Sequence, residues 1–330
     1  IVSPVTDAPP LPEFGAGDLL EARALNRRLA RTPRFRVRGQ WEADLLNGLI
    51  GASQAVAGFR RHRPFPLPQP FERAVSAGGH AVRVRITPPE GTCRGAYLDI
   101  HGGAWAVGNA RMDDAINAAI VRDCGFATAG VEYRMLPRHS LADAVADCEA
   151  AALWALDAAA SFGGPVFIGG ESAGAHLAAC ALLRLRDRGL AGGVRGAVLF
   201  YGPYDLAGTD SVRAAGPDTL VLHGPGMARS LPALLPGLDE AGRRHPRWSP
   251  LHAALHGLPP ALLIVGELDP LIDDTVAMAA RWQDANGNAE LLRAPDSPHA
   301  FNRFGTGIAA RTNAHVRAWL TARAGPHSGS

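Results

Sequence analysis

The sequence predicts an α/β protein in which a mostly parallel central sheet carries helices on both faces. From about Thr87 onward, short apolar runs alternate with segments that have helical spacing. The runs contain few polar positions, as strands that are buried on both faces require. Two regions, 1–70 and 205–250, break this alternation, and we interpret them as the two parts of a helical cap.

Each predicted strand is a short apolar run that ends in a turn. In chain order the runs are GAYLDI, FATAGVEYR, PVFIGG, VRGAVLFYG, PALLIVG and AELLRAP. The longest helical pattern follows Ser140, a suitable N-cap, and we expect it to stop at Gly163. One face of that helix collects apolar side chains, namely Leu141, Val145, Cys148, Ala152 and Leu156.

The two interrupting regions differ in composition from the rest of the chain. Residues 1–70 contain helical patterns near 17–31 and 40–60 and end in the proline-rich run RPFPLPQPF, whereas 205–250 is rich in glycine and proline. We therefore expect an N-terminal cap region over 1–70 and a catalytic domain over 71–330. The second cap segment would lie within that domain at about 205–250.

The composition is that of an ordinary globular protein, with 47% hydrophobic and 19% charged residues among 330. A formal net charge of +2 argues against a dedicated nucleic-acid-binding protein. No run of about 18 apolar residues occurs, so we predict no membrane span. The cysteines lack the spacing of metal or redox motifs, which indicates buried free thiols and a cytoplasmic location. They are Cys93, Cys124, Cys148 and Cys180.

A serine stands between two glycines where a predicted strand turns into a helix. Gly170 to Gly174 reads GESAG and matches the G-x-S-x-G pattern of a nucleophile elbow. A sharp turn exposes the Ser172 hydroxyl, and the helix behind it directs its positive end towards that oxygen. The alternative interpretation, in which Ser172 is a loop serine that only caps the helix, does not explain why a strand precedes the motif.

A second loop, HGGAW from His101 to Trp105, directly follows another predicted strand. Small residues leave backbone N–H groups free to face a reacting oxygen, as in an oxyanion hole. A glycine-rich turn without chemistry is the alternative interpretation. We expect His101 to hold the loop by hydrogen bonds rather than to act as a base.

An aspartate and a histidine follow two later strands, at the sheet edge where catalytic loops gather. They are Asp269 in VGELDP and His299 in DSPHAF. The order Ser172, Asp269, His299 is that of nucleophile, acid and base in α/β-hydrolases. Glu267 and Asp273 are rival carboxylates close to Asp269, which we prefer because of its position in the motif.

Together these motifs resemble the hormone-sensitive-lipase-like family of α/β-hydrolase esterases, the bacterial type IV group. The resemblance extends from about Tyr97 to Phe301 and includes HGGAWAVG, GGESAGAHLA, DPLIDD and HAF. It implies an α/β-hydrolase fold with a two-part helical cap and a carboxylesterase that needs no cofactor or metal. It also implies a compact or short-chain ester as substrate. We expect a monomer or a homodimer with no nucleic-acid partner.

The resemblance also assigns a role to each matching position. It makes Ser172 the nucleophile, His299 the general acid–base and Asp269 the carboxylate that orients the imidazole. It places the oxyanion donors on the backbone of one loop and one helix start, with Gly102 shaping the loop. The donors would be the N–H groups of Gly103, Ala104 and Ala173.

Two residues depart from the family pattern. Ala104 stands where the family usually has a third glycine, so its conformation is confined if the site requires a positive φ. Its methyl group would also narrow the space around the substrate carbonyl. Glu171 stands where an aspartate often precedes the nucleophile, and its longer side chain leaves its partner open.

Other residues admit more than one interpretation. We interpret His176 as helix packing and the arginines of 23–38 as a solvated face. Six aromatic residues could line a pocket or belong to the core, namely Trp41, Phe59, Phe65, Phe200, Tyr201 and Tyr204. The same three catalytic positions would serve an amidase, formamidase or lactonase. A receptor similar to plant gibberellin receptors is disfavoured because those lack the histidine that His299 provides.

Overall fold

The computed structural model describes residues 9–60, 68–77 and 79–325. Within these residues the chain forms β1 (Phe71–Ala77), β2 (His80–Thr87), β3 (Ala96–Ile100), β4 (Ala127–Glu132), β5 (Val166–Glu171), β6 (Val194–Phe200), β7 (Ala261–Gly266) and β8 (Ala289–Ala294). The strands form one sheet in the order β1-β2-β4-β3-β5-β6-β7-β8. Strands β3 to β8 are parallel to one another, whereas β2 is antiparallel to both of its neighbours. The predicted mostly parallel sheet is therefore confirmed.

Helices connect the parallel strands and fill the two interrupting regions. Among the described residues they are α1 (Ala16–Leu29), α2 (Gln40–Arg60), α3 (Asp114–Cys124), α4 (Leu141–Asp157), α5 (Ala173–Asp187), α6 (Asp210–Ala214), α7 (Gly224–Ser230), α8 (Glu240–Arg243), α9 (Ile272–Asn286) and α10 (Gly307–Ala324). Ser140 caps α4 as predicted, because its hydroxyl accepts the backbone N–H of Asp143. The helix ends at Asp157, however, and a short 3-10 turn separates it from Gly163 at φ 69°.

The first two strands form a hairpin that the sequence pattern did not predict. Only Val75 of β1 is buried, and its charged residues Glu72 and Arg73 are exposed. An edge strand needs few apolar positions, so its pattern does not stand out from the surrounding polar sequence. The predicted alternation of strand and helix thus begins at β3, two strands later than the sheet itself.

Neighbouring residues of the central strands point to opposite faces of the sheet and enter different parts of the core. Leu98 and Ile168 pack with the apolar faces of α4, α5 and α9. Tyr97 and Phe167, which directly precede them, pack with α3 and α10 on the other face. Both faces of the sheet are therefore covered, which explains why the central strands are apolar at almost every position.

The two interrupting regions touch each other in the structure. Phe35 and Leu222 form an isolated parallel β-bridge, and Arg34 Nε donates to the Thr219 carbonyl at 2.6 Å. Helix α2 contacts the loop that follows β3, since Asn47 accepts the Gly108 N–H and donates to the Ala106 carbonyl. Residues 1–8 and 61–67 of the predicted N-terminal cap region lie outside the described part of the chain.

Candidate active site

Ser172 lies at the junction between β5 and α5 in a backbone conformation that side chains rarely adopt. Its φ is 54° and its ψ is −122°. The Ser172 N–H donates to the Phe200 carbonyl of β6 at 2.9 Å, which ties the turn to the neighbouring strand. Such strain persists only where the surrounding structure determines the backbone. The hydroxyl therefore lies at the carboxyl edge of the sheet.

The glycines on either side of Ser172 are required by close backbone contacts. A Cβ at Gly170 would lie 2.5 Å from the Gly174 carbonyl carbon, and one at Gly174 would lie 1.8 Å from the Ile100 oxygen. Both distances are far below van der Waals contact. The G-x-S-x-G spacing thus reflects the close approach of α5 to β3 and to the elbow itself.

The structure brings Ser172, His299 and Asp269 together as one chain of hydrogen bonds. His299 Nε2 lies 3.0 Å from Ser172 Oγ, and His299 Nδ1 lies 2.8 Å from Asp269 Oδ2. Asp269 is 2% exposed and His299 is 5% exposed, so water screens this pair little. With the Nδ1 proton directed at the carboxylate, Nε2 is left to accept the serine proton.

Asp269 is the carboxylate that faces the histidine, and its two rivals lie elsewhere. Its second oxygen accepts the Leu271 N–H at 2.9 Å, which orients the carboxylate. Glu267 is exposed and pairs with Arg293, whereas Asp273 is exposed and accepts the Ser211 N–H.

The loop after β3 carries three consecutive positive φ angles. They are 117° at Gly103, 51° at Ala104 and 59° at Trp105. A Cβ at Gly103 would lie 1.7 Å from the Val107 oxygen, so this position accepts glycine only. The Gly103 carbonyl closes the turn by accepting the N–H groups of Ala106 and Val107. Ala104 thus occupies the left-handed conformation that glycine would adopt at lower cost.

Gly102 brings this loop against the nucleophile. A Cβ there would lie 3.3 Å from Ser172 Cβ and 2.9 Å from the Glu171 oxygen, which leaves no room for a side chain. Within the described residues, the N–H groups of Gly103, Ala104 and Ala173 donate no hydrogen bond to the protein. These amides are therefore free to donate to an external acceptor.

His101 holds the loop from behind, as predicted. Burial lowers the pKa of His101, so the ring is neutral, and its Nδ1–H donates to the Gly102 carbonyl at 2.7 Å. The ring stacks on Tyr133 with centroids 4.3 Å apart, and the Tyr133 hydroxyl donates to the His101 carbonyl.

Comparison with known proteins agrees with this fold. A family model of the alpha/beta hydrolase fold matches residues 97–303. The chain belongs to the α/β-hydrolase fold family. Its likeness to hormone-sensitive-lipase-like members, which the sequence motifs predict, is confirmed.

Among its relatives, this α/β-hydrolase is 29% identical to an arylesterase of Saccharolobus solfataricus over 72% of this chain and 78% of that protein. It is 33% identical to an acetyl-hydrolase of Streptomyces hygroscopicus over 68% of this chain and 74% of that protein. A solved structure of a hyperthermophilic esterase from the archaeon Pyrobaculum calidifontis superposes with a TM-score of 0.78 at 25% identity. That match covers 91% of this chain and 96% of the esterase.

Glu171 has three side-chain partners beside the active site of this α/β-hydrolase. Its carboxylate accepts from the Tyr201 hydroxyl at 2.9 Å, from Asn302 Nδ2 at 2.7 Å and from Arg303 Nε at 2.6 Å. Arg303 also pairs with the buried Asp113. The residue before the nucleophile is thereby joined to the loop that carries His299.

The aromatic candidates separate into core and surface residues. Phe200, Tyr201 and Tyr204 are buried, and the Tyr201 ring lies beside His299 with centroids 4.6 Å apart. Trp41 is exposed, and the side chains of Phe59 and Phe65 lie outside the described residues. The sequence suggested no contact between Tyr201 and His299, since about a hundred residues separate them.

Several other predicted features of this α/β-hydrolase can be located. Cys124, Cys148 and Cys180 are buried, Cys93 is half-buried, and all four are free. In the described portion of the chain, no group of three or more histidine, cysteine, aspartate or glutamate residues could hold a metal ion. None of the helices described here combines the length and apolarity that crossing a bilayer requires.

The arginines of 23–38 are mostly exposed, as a solvated face predicts, and only Arg34 is half-buried. Arg23 pairs with Asp296, and Arg38 pairs with Glu42. Arg34 donates to several backbone carbonyls around the contact between the two interrupting regions. At least three of the seven thus have structural partners that a charge pattern does not indicate.

Proposed function

We propose that this chain is a serine carboxylesterase that hydrolyses compact or short-chain carboxylic esters through an acyl-enzyme. The observation that carries the proposal is the unbroken hydrogen-bond chain from Asp269 through His299 to Ser172, with distances of 2.8 and 3.0 Å. The names of its relatives, an arylesterase and an acetyl-hydrolase, favour an ester as the bond that is cleaved.

In the first half of the reaction, Ser172 Oγ attacks the ester carbonyl carbon while its proton passes to His299 Nε2. The buried Asp269 stabilises the imidazolium that forms and keeps Nδ1 in the required orientation. The tetrahedral intermediate then expels the alcohol, which takes the proton back from His299 Nε2. An acyl group is left on Ser172.

In the second half, His299 removes a proton from a water molecule, whose oxygen attacks the acyl carbonyl carbon. The second tetrahedral intermediate collapses, the acid leaves, and the proton returns to Ser172. In both intermediates the negative oxygen would accept from the amides of Gly103, Ala104 and Ala173. Donors that are already oriented towards the developing charge require no reorganisation during the reaction.

We also propose that 1–70 and 205–250 form the two parts of a cap that limits the size of the substrate. Two contacts support this proposal, the bridge between Phe35 and Leu222 and the packing of α2 on the loop that follows β3. The Ala104 methyl group would reduce the room beside the proposed oxyanion amides. A small acyl group fits such a site better than a long chain.

The test is a hydrolysis assay with p-nitrophenyl acetate, a matched anilide and a small lactone, each with the wild type and with Ser172→Ala. We expect fast cleavage of the ester, slow cleavage of the other two and loss of at least about a thousand-fold in Ser172→Ala. A thermal unfolding curve checks that the variant is folded. Retention of more than about a tenth of the wild-type rate in Ser172→Ala would refute the nucleophile, and preference for the anilide or lactone would reassign the bond.

A further inference from the structure

His176 lies one helical turn after Ser172 and joins three parts of the molecule. It is fully buried on α5. The Trp105 indole N–H donates to His176 Nδ1 at 3.2 Å, and His176 Nε2 lies 2.7 Å from the Trp248 carbonyl oxygen. Trp105 belongs to the loop after β3, and Trp248 ends the 205–250 segment. The side chain that we predicted to be helix packing therefore makes two polar contacts with distant segments.

The two contacts require one protonation state of the ring. Nδ1 must be bare to accept the indole N–H, and Nε2 must carry the proton that it donates to the Trp248 carbonyl. Burial lowers the pKa of His176 to about 4, which agrees with a neutral ring. Both ring nitrogens are thus used, and neither could be replaced by an aliphatic group without leaving a buried polar partner unpaired.

The loop that His176 contacts needs external support. Ala104 and Trp105 have φ angles of 51° and 59°, in a region that costs a non-glycine residue about 1–2 kcal/mol. The Trp105 side chain is 5% exposed, and its indole N–H bonds to His176. Because His176 lies one helical turn after Ser172, this bond sets the loop at a defined distance from the nucleophile.

The contact on the other side of the ring extends to the proposed cap. The Trp248 N–H donates to the His245 carbonyl, and the Ser249 hydroxyl accepts the Leu206 N–H and donates to the Arg243 carbonyl. These bonds hold the end of the 205–250 segment as an ordered turn. A displacement of that turn would be transmitted to Trp105 through the imidazole.

We propose that His176 is a positioning residue that holds the oxyanion loop against the nucleophile helix and couples it to the 205–250 segment. This proposal rests on the proposed esterase function. Without the imidazole, the amides of Gly103 and Ala104 would lose their alignment with the developing oxyanion. Ground-state binding depends less on that alignment, so the effect should appear in kcat rather than in KM.

The experiment compares His176→Leu, His176→Gln and Trp105→Phe, for which kcat, KM and the affinity for a trifluoromethyl ketone are measured. We expect His176→Leu to lower kcat about ten- to a hundred-fold, with KM changed less than about three-fold. The affinity for the ketone, which binds as an oxyanion, should fall by a similar factor. Glutamine can accept at one end and donate at the other, so His176→Gln should recover most of both losses.

Trp105→Phe removes the indole donor and leaves the bond from His176 to Trp248 in place. It should lower kcat and ketone affinity in the same way, and the double variant with His176→Leu should lose less than the product of the single losses. If thermal unfolding shows that His176→Leu does not fold, Trp105→Phe alone tests the proposal. His315→Leu is the matched control, because His315 is a buried histidine on α10 whose Nε2 has no partner among the described residues.

Two results would overturn the proposal. One is a folded His176→Leu, or a folded Trp105→Phe, with kcat and ketone affinity within about two-fold of the wild type. The other is a rise in KM with no change in kcat. Ser172→Ala separates this failure from a failure of the proposed function, because this variant tests the nucleophile and leaves His176 unchanged. An inactive Ser172→Ala beside a fully active His176→Leu would remove the positioning role and leave the esterase mechanism standing.

Discussion

Ser172 and Ala104 both adopt positive φ angles, 54° and 51°, at the two sides of the space where an ester carbonyl would bind. Each such conformation costs a side-chain-bearing residue of the order of 1–3 kcal/mol. At Ser172 the strain exposes the hydroxyl towards His299. At Ala104 a glycine would relieve this strain, so the methyl group has an energetic cost at this position.

Ala104→Gly tests what that methyl group does. The substitution should relieve backbone strain and at the same time increase the freedom of the unfolded chain, so we expect the free energy of unfolding to change by less than about 1 kcal/mol. The added room should raise kcat/KM for a bulky acyl group relative to acetate. The measurements are urea unfolding and rates for p-nitrophenyl acetate and p-nitrophenyl pivalate, and an unchanged ratio of the two rates would contradict the steric role.

Glu171→Gln tests the network behind the nucleophile. The amide cannot replace a carboxylate that accepts from Tyr201, Asn302 and Arg303, and it leaves Arg303 with Asp113 as its remaining carboxylate partner. Because Glu171 is buried but Arg303 is partly exposed, we expect a lower melting temperature, with a cost below the ~3–5 kcal/mol of a fully buried ion pair. We also expect kcat to fall about ten-fold, because the loop that carries His299 is released.

Glu267→Gln is the matched control for this change, since Glu267 is exposed and lies two residues before Asp269. It should alter neither the melting temperature nor kcat appreciably. Equal effects of the two substitutions on melting temperature and kcat would show that the Glu171 network does not position the loop that carries His299. A larger loss of kcat at Glu267 would also bring the assignment of Asp269 into question.

At the scale of elements, short side chains join segments that are distant in sequence. Asp274, in the first turn of α9, accepts the N–H groups of Tyr204 and Asp205 and the hydroxyl of Thr209. It therefore anchors the beginning of the 205–250 segment to the helix that follows Asp269. Asn47 of α2 performs a similar task at the loop after β3, where it binds both Ala106 and Gly108.

The anchor at Asp274 should make stability depend on pH. Burial raises the pKa of Asp274 to about 7, so between about pH 4 and pH 7 the folded state keeps a proton that the unfolded state has lost. The contribution to stability is therefore complete at low pH and is lost as pH rises through 7. The slope approaches about 1.4 kcal/mol per pH unit within this window.

Asp274→Asn removes the titration while it keeps an oxygen that can accept the two N–H groups. The free energy of unfolding of the wild type should decrease relative to this variant as the buffer is raised from pH 5 to pH 8. Urea unfolding at several pH values measures the difference. A difference that is constant with pH would mean that Asp274 is ionised throughout this range, and a change in the opposite direction would likewise contradict a raised pKa.

At the scale of the whole molecule, the proposed catalytic groups lie at one edge of the sheet. The loops after β3, β5, β7 and β8 contribute the loop amides, Ser172, Asp269 and His299 respectively. Helix α2 lies against this edge, and the 205–250 segment reaches it through Trp248. The cap, the cytoplasmic location and the state as monomer or homodimer stay predictions.

The placement of α2 and the Ala104 methyl group predict a limit on acyl length. We expect kcat/KM for p-nitrophenyl esters, measured below their micelle concentrations, to be highest at short acyl chains and to fall towards sixteen carbons. A long apolar tunnel would instead reward each added CH₂ with about 0.8 kcal/mol. A maximum at about ten carbons or more would thus reveal such a tunnel and refute the compact site.

The sequence by itself was sufficient to predict the parallel sheet, the elbow and the meeting of Ser172, Asp269 and His299. Strands that are buried on both faces must be apolar throughout, and parallel strands bring their carboxyl ends to one edge. Local backbone requirements also leave a clear signature, as Gly170 and Gly174 show through the clashes that any side chain there would cause.

Only the tertiary structure decided which distant groups support that site. The partners of Glu171 lie up to 132 residues away, and His176 joins Trp105 to Trp248 across 71 and 72 residues. Strand β1 was not predicted because an edge strand needs few apolar residues, whereas β2 lies inside the sheet and has alternating buried positions that the prediction overlooked. Periodicity and motifs report what a residue requires of its immediate neighbours, whereas a hydrogen bond between remote side chains depends on how the finished elements pack.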